Sequence, residues 1–404
     1  MAAYGEWSWS IDVKKNLILK EEDIDRNPTP TFGADPEFFI VTKRGTVVNS
    51  DRFFPSEKAK LIVHGTLLNK PMHLFFDGIQ AEFNIHPHIC REWTLDDIWF
   101  LFKKVYEMIG PNYDISLQAC AKVRKDILKK ADPRARIFGC DPDYDAYSGE
   151  KNEILVDPTT HLLRYAGGHI HIGPEYDNPK SFKFLSDWED IRKSVKLLDI
   201  LVGSLLVLLD RDVTSATRRF MYGAAGCFRQ TKWGIEYRTP SPFWLTAPEI
   251  VSLVSGMTRL FFRIRQCKKE DYFLDLVDEN LVRHAIDYND FDAAMKIYKA
   301  IKQNLITAST EETDPFCTSG SGDVYWMGDM NGAAAFEWLV MNGVENVLGN
   351  TLAERWNLSV SDADFEDHGE TAYGWFLGMW SRLDENKEFK KFERHFTKTK
   401  TDYM

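Results

Sequence analysis

The stretch Gly167-Gly168-His169-Ile170-His171-Ile172-Gly173 decides how this chain is read. Two histidines alternate with two isoleucines, and glycines stand at both ends. In a strand, side chains at i and i+2 point to the same face. His169 and His171 therefore share one face, while Ile170 and Ile172 enter a core on the other. Glycine beside such a strand lets a ligand or another backbone come close. The pattern predicts a strand lining a polar cavity, and imidazole is a common metal ligand. The plainer alternative is a histidine pair on a solvated strand face.

Three other segments carry the same kind of pattern. In Thr31-Phe32-Gly33-Ala34-Asp35-Pro36-Glu37-Phe38-Phe39-Ile40-Val41, an apolar run follows two alternating acids. Pro36 demands a strand edge or a strand start there. A Gly-x-Asp-Pro turn explains the first half, but not an acid placed against Phe38 and Phe39. From Leu74 to His88, Asp77-Gly78 marks a turn between strands, and Gln80, Glu82 and Asn84 alternate with apolar residues. That is a half-buried strand with a polar face, either solvated or facing a site. The segment Arg218 to Arg229 is rich in glycine and arginine and leads into Gly234-Ile235-Glu236-Tyr237-Arg238-Thr239-Pro240-Ser241. Glu236 and Arg238 share a strand face, and Arg219, Arg229 and Arg238 can offer planar forks of donors to phosphate. A surface Glu–Arg pair is the plainer reading, and such pairs are worth little.

The chain has 404 residues, of which 44% are hydrophobic and 27% charged, the balance of a globular protein with one large or two to three ordinary domains. Twelve Trp and 27 Phe argue for a large packed core. The net charge of -11 argues against nucleic acid as a partner. The six cysteines are far apart and form no C-x-x-C pair, as expected of reduced thiols in a cytoplasmic protein. Met1 to Ser10 lacks the pattern of a signal peptide, and the apolar run Ile200–Leu209 is too short to span a membrane. Helices are expected over Thr94–Ile109 with Thr94 as N-cap, Ser186–Leu209, Glu249–Arg265, Glu279–Asn304 and Ala333–Leu348. Asp141–Pro158 reads as a surface loop, Cys317–Gly322 as a flexible loop and Lys387–Lys400 as a basic, solvated tail.

Taken together, the four strand segments supply carboxylates, imidazoles and arginines. Such a mixture suits two or more hard divalent cations bridging the phosphates of a nucleotide. The ordered motifs Gly-x-Asp-Pro-Glu-Phe-Phe, Asp-Gly-x-Gln-x-Glu-Phe, Gly-Gly-His-x-His-x-Gly and Gly-x-Glu-Tyr-Arg-x-Pro-Ser resemble the glutamine synthetase-like carboxylate–amine ligases over residues 31–245. The resemblance is to their phage-type family, the COOH–NH2 ligases of type 2. It implies an α+β fold, a curved antiparallel sheet of glutamine synthetase catalytic-domain type with helices outside. The expected organisation is an N-terminal arm over 1–30, a catalytic core over 31–245 and a mainly helical part over 246–404 packed on the core.

By resemblance, Asp35, Glu37, Glu82, His169 and Glu236 hold the metals. Asp35 stands where glutamine synthetases commonly carry Glu, and Asp77 stands for a further acid at a shorter spacing. Glu236, Arg229 and Arg238 are the implied catalytic residues, with Arg219, Arg229, Arg238 and His171 toward the nucleotide. The implied reaction uses ATP with Mg2+ or Mn2+, two or more ions. ATP phosphorylates a carboxylate, an amine attacks the acyl phosphate, and an amide forms with release of ADP and phosphate. The implied partners are small-molecule, peptide or modified-base carboxylates and amines, with no membrane and no nucleic acid. The implied place is the cytoplasm, that of the host if the chain is phage-encoded. The sequence leaves the substrates and the oligomeric state open. Rival readings are a guanidino-kinase-like phosphotransferase, a cupin-like single-metal enzyme and an inactive binding protein.

Overall fold

The computed structural model describes residues 30–64, 70–89, 91–137, 143–152, 156–175, 179–310, 332–359 and 387–391. The expected arm (apart from Pro30), the Cys317–Gly322 loop and most of the basic tail lie outside these residues.

Pro36 lacks the N–H that a central strand needs. The chain accordingly breaks there, between β1 (Pro30–Ala34) and β2 (Glu37–Thr42). The strands that follow are β3 (Val47–Val48), β4 (Leu61–His64), β5 (Pro71–Asp77) and β6 (Gln80–Asn84). After helix α1 (Arg91–Ile109) come β7 (Tyr113–Ser116), β8 (Cys120–Lys122), the short α2 (Lys125–Lys130) and β9 (Tyr144–Asp145). Next are β10 (Leu163–Tyr165) and β11 (Ile170–Pro174). Helices α3 (Lys183–Ser186), α4 (Trp188–Leu198), α5 (Ser204–Leu209) and α6 (Ser215–Arg219) precede β12 (Cys227–Gln230) and β13 (Ile235–Tyr237). The rest is helical: α7 (Pro248–Gln266), α8 (Asp271–Leu274), α9 (Glu279–Asp287), α10 (Phe291–Thr310), α11 (Gly332–Asn342), α12 (Val344–Leu348) and α13 (Leu352–Arg355).

The fold is α+β with antiparallel ladders. One sheet runs β1-β11-β13-β12-β9, and another runs β3-β2-β6-β5-β4 with β7 also on β2. A two-stranded ladder joins β10 to β8. The two larger sheets meet at Asp35-Pro36. Phe32 opposes His88 on one side of this junction and Glu37 opposes Glu82 on the other. One extra residue is accommodated on the 82–88 side between these pairings, and a bulge of this kind bends a strand and re-aims its side chains. One face of the sheets packs on a core that includes Phe32, Phe38, Ile170, Ile172, Trp99 and Trp244. Asp35, Glu37, Glu82, His171 and Glu236 sit on the other side of that alternation.

Several helices differ from their expected extents. The first begins at Arg91, so Thr94 is buried inside it rather than capping it. The helix expected over Ser186–Leu209 starts with an N-cap at Asp187, whose carboxylate accepts from the Asp190 N–H at 3.2 Å. It then passes through a π-helical turn at Asp199–Gly203. The turn carries a buried carboxylate. Buried Asp199 accepts from the hydroxyls of Tyr237 at 2.6 Å and Tyr147 at 2.9 Å. Burial pushes the Asp199 carboxyl up to about 7. A π-turn is a rare local widening inside an α-helix. The helix expected over Glu279–Asn304 is two helices. Asn289 takes a left-handed conformation, with φ 51°, and Asp290 accepts from the Ala293 N–H at 3.0 Å. The Ala333–Leu348 helix likewise divides at Gly343. Among the described residues, no helix is long and apolar enough to cross a membrane.

Candidate active site

The His-x-His stretch forms β11 from Ile170 onward, with His169 just ahead of it. Ile170 and Ile172 are fully buried in the core, as the alternation requires. In register, His171 faces Gly33 of β1 on one side and Glu236 of β13 on the other. Glu236 in turn faces Arg229 of β12. Gly167 and Gly168 serve packing rather than ligand approach. A Cβ on Gly167 would strike His169 and the Tyr222 hydroxyl, and one on Gly168 would strike Ser241 and Trp244.

The second group of acids lies on β2, β5 and β6. Glu37 sits directly opposite Glu82, and Asp77 closes the hairpin that carries Glu82. Gly167 fastens this group to the first. The Glu37 N–H donates to the Gly167 carbonyl at 2.8 Å, and the Gly167 N–H donates to Glu37 Oε2 at 2.5 Å. Asp35, two residues from Glu37, belongs to the histidine side.

Two sets of three possible metal ligands result. Asp35, His171 and Glu236 offer ligand atoms all within 4.8 Å of one another, and so do Glu37, Asp77 and Glu82. Both sets fit hard divalent cations: they are rich in carboxylate, with one imidazole. Their electrostatics point the same way. Burial and the charge of Asp77 push Glu37 up to about 8. Burial, with the charges of Glu57 and Asp35, raises Asp77 to about 6. Glu82 is held well above the usual carboxylate range by burial and by Asp35, Asp77 and Glu37. Three carboxylates this close, with Glu37 and Glu82 buried and Asp77 half-buried, resist ionising together unless a cation joins them. Asp35 is the opposite case. Burial opposes its charge, but His171 and His169 hold its carboxyl below the usual range.

Not every residue stands where the resemblance put it. His169 belongs to neither set of three. Its Nδ1 lies 3.1 Å from Asp35 Oδ1 and 3.7 Å from Glu236 Oε1, and its Nε2 meets the Tyr222 hydroxyl. His171, expected toward the nucleotide, supplies the imidazole among the acids instead. Arg238 is buried and reaches Glu236, Asp143 at 3.2 Å and the Tyr222 hydroxyl at 3.2 Å. Arg229 is half-buried and donates to Glu236 at 3.1 Å. Both arginines thus border the acids. Arg219 does not. It turns away from the acids and donates to the Ile286 carbonyl at 2.5 Å and to Asn289 at 2.8 Å. Its neighbour Arg218 is the one that packs toward Tyr222 and Arg238. Arg219→Ala is therefore expected to lower stability by about 2–3 kcal/mol, through lost charge-assisted bonds to buried acceptors. Any nucleotide bound among the acids should keep its affinity in this variant, and a selective loss of that affinity would return Arg219 to the nucleotide side where it was expected.

Asp143 and Tyr222 were not singled out from the sequence. Asp143 fell in the presumed surface loop, yet it is buried, and the next two residues pair as β9 with β12. Its ion pair with Arg238 spans 95 residues, so no local pattern announces it. Tyr222 lay within the glycine- and arginine-rich stretch, where the arginines drew the reading.

The family model described as phage phiEco32-like COOH.NH2 ligase-type 2 matches residues 159–313. That segment includes His169, His171, Tyr222, Arg229, Glu236 and Arg238, whereas Asp35, Glu37, Asp77 and Glu82 lie before it. No curated protein matches the sequence. Among solved structures, the chain is similar to a bifunctional glutathione synthetase from Pasteurella multocida, with 10% identity and a TM-score of 0.35. The similarity covers 82% of this chain and 51% of that one, so the chain spans about half of its length. The resemblance carried by the His-x-His and Glu-x-Arg motifs is thereby shown: over residues 159–313 this chain matches the phage phiEco32-like COOH.NH2 ligase-type 2 family.

Proposed function

We propose that this chain is an ATP-dependent carboxylate–amine ligase that works through an acyl phosphate, on a sheet of glutamine synthetase catalytic-domain type. The observation that carries the reading is the convergence of two ligand sets, Asp35–His171–Glu236 and Glu37–Asp77–Glu82, beside Arg229 and Arg238. The match of residues 159–313 to a ligase family supports it independently.

In this reading the two sets hold Mg2+ or Mn2+, two or more ions. When bound, these neutralise a polyphosphate and the charge that develops on a transferring phosphoryl group. The remaining work falls to the chain itself. Arg229 and Arg238 offer guanidinium donors to anionic oxygens of phosphate or carboxylate. Arg238 is held in place by Glu236 and Asp143, so its donors are oriented before a ligand arrives. Gly167 N–H fixes the Glu37 carboxylate beside Glu82 and Asp77. No side chain needs to form a covalent intermediate, because the substrate carboxylate is itself the nucleophile toward the terminal phosphoryl group. The products are an amide, ADP and phosphate. The substrate class is a small-molecule, peptide or modified-base carboxylate with an amine.

Hydroxylamine tests the reaction. Offered as the amine with Mg2+, ATP and a panel of carboxylates, it should yield a hydroxamate with stoichiometric ADP. AMP and pyrophosphate in place of ADP would reject the acyl-phosphate route.

A further inference from the structure

The hydroxyl of Tyr222 touches two residues of the candidate site. Arg238 Nη2 donates to it at 3.2 Å, and on its other side lies His169 Nε2. A guanidinium cannot accept a hydrogen bond. The phenolic proton is therefore free to go to His169. At the far side of the same ring, His169 Nδ1 lies 3.1 Å from Asp35 Oδ1. A carboxylate only accepts, so Nδ1 carries the hydrogen. One direction of donation satisfies every partner: Arg238 to Tyr222, Tyr222 to His169, His169 to Asp35.

Tyr222 is itself firmly mounted. Its ring is flanked by the guanidinium of Arg218, 4.5 Å from the ring centroid, and by that of Arg238 at 5.1 Å. Arg218 is fully buried, and among the described residues no carboxylate lies within ion-pair distance of it. It donates to the carbonyls of Arg238 at 3.0 Å and Thr239 at 2.8 Å. The same cation thus faces the tyrosine ring and fixes the backbone of Arg238. Cation–π contact of this kind is strongest where water is excluded. Opposite, any side chain at residue 167 would part Tyr222 from His169.

We propose that Tyr222 is a positioning residue: it holds His169 as the Nδ1–H tautomer against Asp35, leaving His171 as the imidazole that meets the metal. In that tautomer the Nε2 lone pair of His169 is engaged by Tyr222 and its Nδ1 bears hydrogen. Neither nitrogen then has a lone pair to give. His171 Nε2 lies 3.0 Å from Asp35 Oδ1 without the alignment of a hydrogen bond, beside Glu236. The chain also links Arg238, toward the substrate anion, to Asp35, toward the metal. This deepens the ligase reading and rests on it for the meaning of metal binding, but the tautomer can be read without any catalysis.

The experiment uses the full chain labelled with 15N, with His169 assigned by loss of its signals in His169→Gln. Long-range 1H–15N imidazole spectra of the metal-free protein should show His169 as Nδ1–H. Tyr222→Phe keeps the ring against Arg218 and removes only the hydroxyl. It should move His169 toward a mixture with the Nε2–H form and weaken Mn2+ binding, read by electron paramagnetic resonance, about tenfold, as loss of an outer partner does. His171→Ala should weaken Mn2+ binding further than His169→Gln. Three results overturn the proposal: an Nε2–H form of His169 in the unmutated protein, an unchanged tautomer and Mn2+ affinity in Tyr222→Phe, or a greater Mn2+ loss in His169→Gln than in His171→Ala. The spectrum of the unmutated protein decides the tautomer even if a variant fails to fold. Absence of ADP or hydroxamate with every carboxylate would count against the ligase reading alone.

Discussion

Glu82→Gln is expected to remove hydroxamate formation and ADP release by at least ~10³-fold, the scale of losing a preorganised electrostatic group. The substitution keeps shape and removes only the capacity for negative charge. In the metal-free fold burial and the neighbouring acids push the Glu82 carboxyl well above its usual range, toward the neutral form. Gln copies that neutral form, so stability without metal should stay within about 1 kcal/mol of the parent. The side-chain amide of Asn84, which donates to Glu82 Oε1 at 3.0 Å, keeps an acceptor in Gln. What disappears is the third charge of that set, so the part of the Mn2+-induced rise in melting temperature that the Glu37–Asp77–Glu82 set supplies should be lost. Thermal melts with and without Mn2+, alongside the ADP assay, check both halves. Full turnover in this variant would sink the metal assignment of the Glu37–Asp77–Glu82 set.

The sequence made some of this site legible because alternation is a local property. It put His169 with His171, Asp35 with Glu37 and Glu236 with Arg238 on shared faces, and Ile170 and Ile172 are buried as that pattern requires. Alternation does not say which atoms meet across a ladder. That His171, rather than His169, stands opposite Glu236 is decided by register between strands about 65 residues apart in sequence. The roles of Asp143, Tyr222 and Arg218 depend on contacts of the same non-local kind. Arg218 and Arg219 are adjacent on α6, and only the packing of α6 against α9 turns Arg219 away from the acids. The π-turn at Asp199 was hidden for another reason. A buried carboxylate in an apolar helix reads as an irregularity until the two tyrosines that bind it are known. Helix ends were misplaced where a cap lies at a break inside one apolar pattern, as at Asn289-Asp290.

Divalent cation binding should strengthen steeply as pH rises from about 6 to about 8. Glu37 titrates near 8 in the metal-free fold against an ordinary value of 4.5, and Asp77 near 6 against 3.8, each raised first by burial. The folded protein therefore binds more protons than the unfolded chain across roughly pH 4.5 to 8, and stability falls as pH rises through that window. At pH 8 and above the cost of ionised Glu37 is on the order of a few kcal/mol. A cation held by Glu37, Asp77 and Glu82 favours their charged forms, so it displaces the protons and offsets this cost. Below pH 8 each displaced proton lowers the apparent affinity about tenfold per pH unit. Asp35 is already ionised across the range, since His171 and His169 hold it low despite burial, and it adds no pH dependence there. The melting-temperature gain from Mn2+ should accordingly be small at pH 6 and large at pH 8. Calorimetry in two buffers of different ionisation enthalpy should show about one proton or more released per binding event near pH 7. Glu37→Gln should reduce that proton release, leaving the share of Glu82 and Asp77, and make the metal-free protein more stable than the parent at pH 8. An affinity that stays constant from pH 6 to 8, with no proton release, would mean that the three acids do not share a cation.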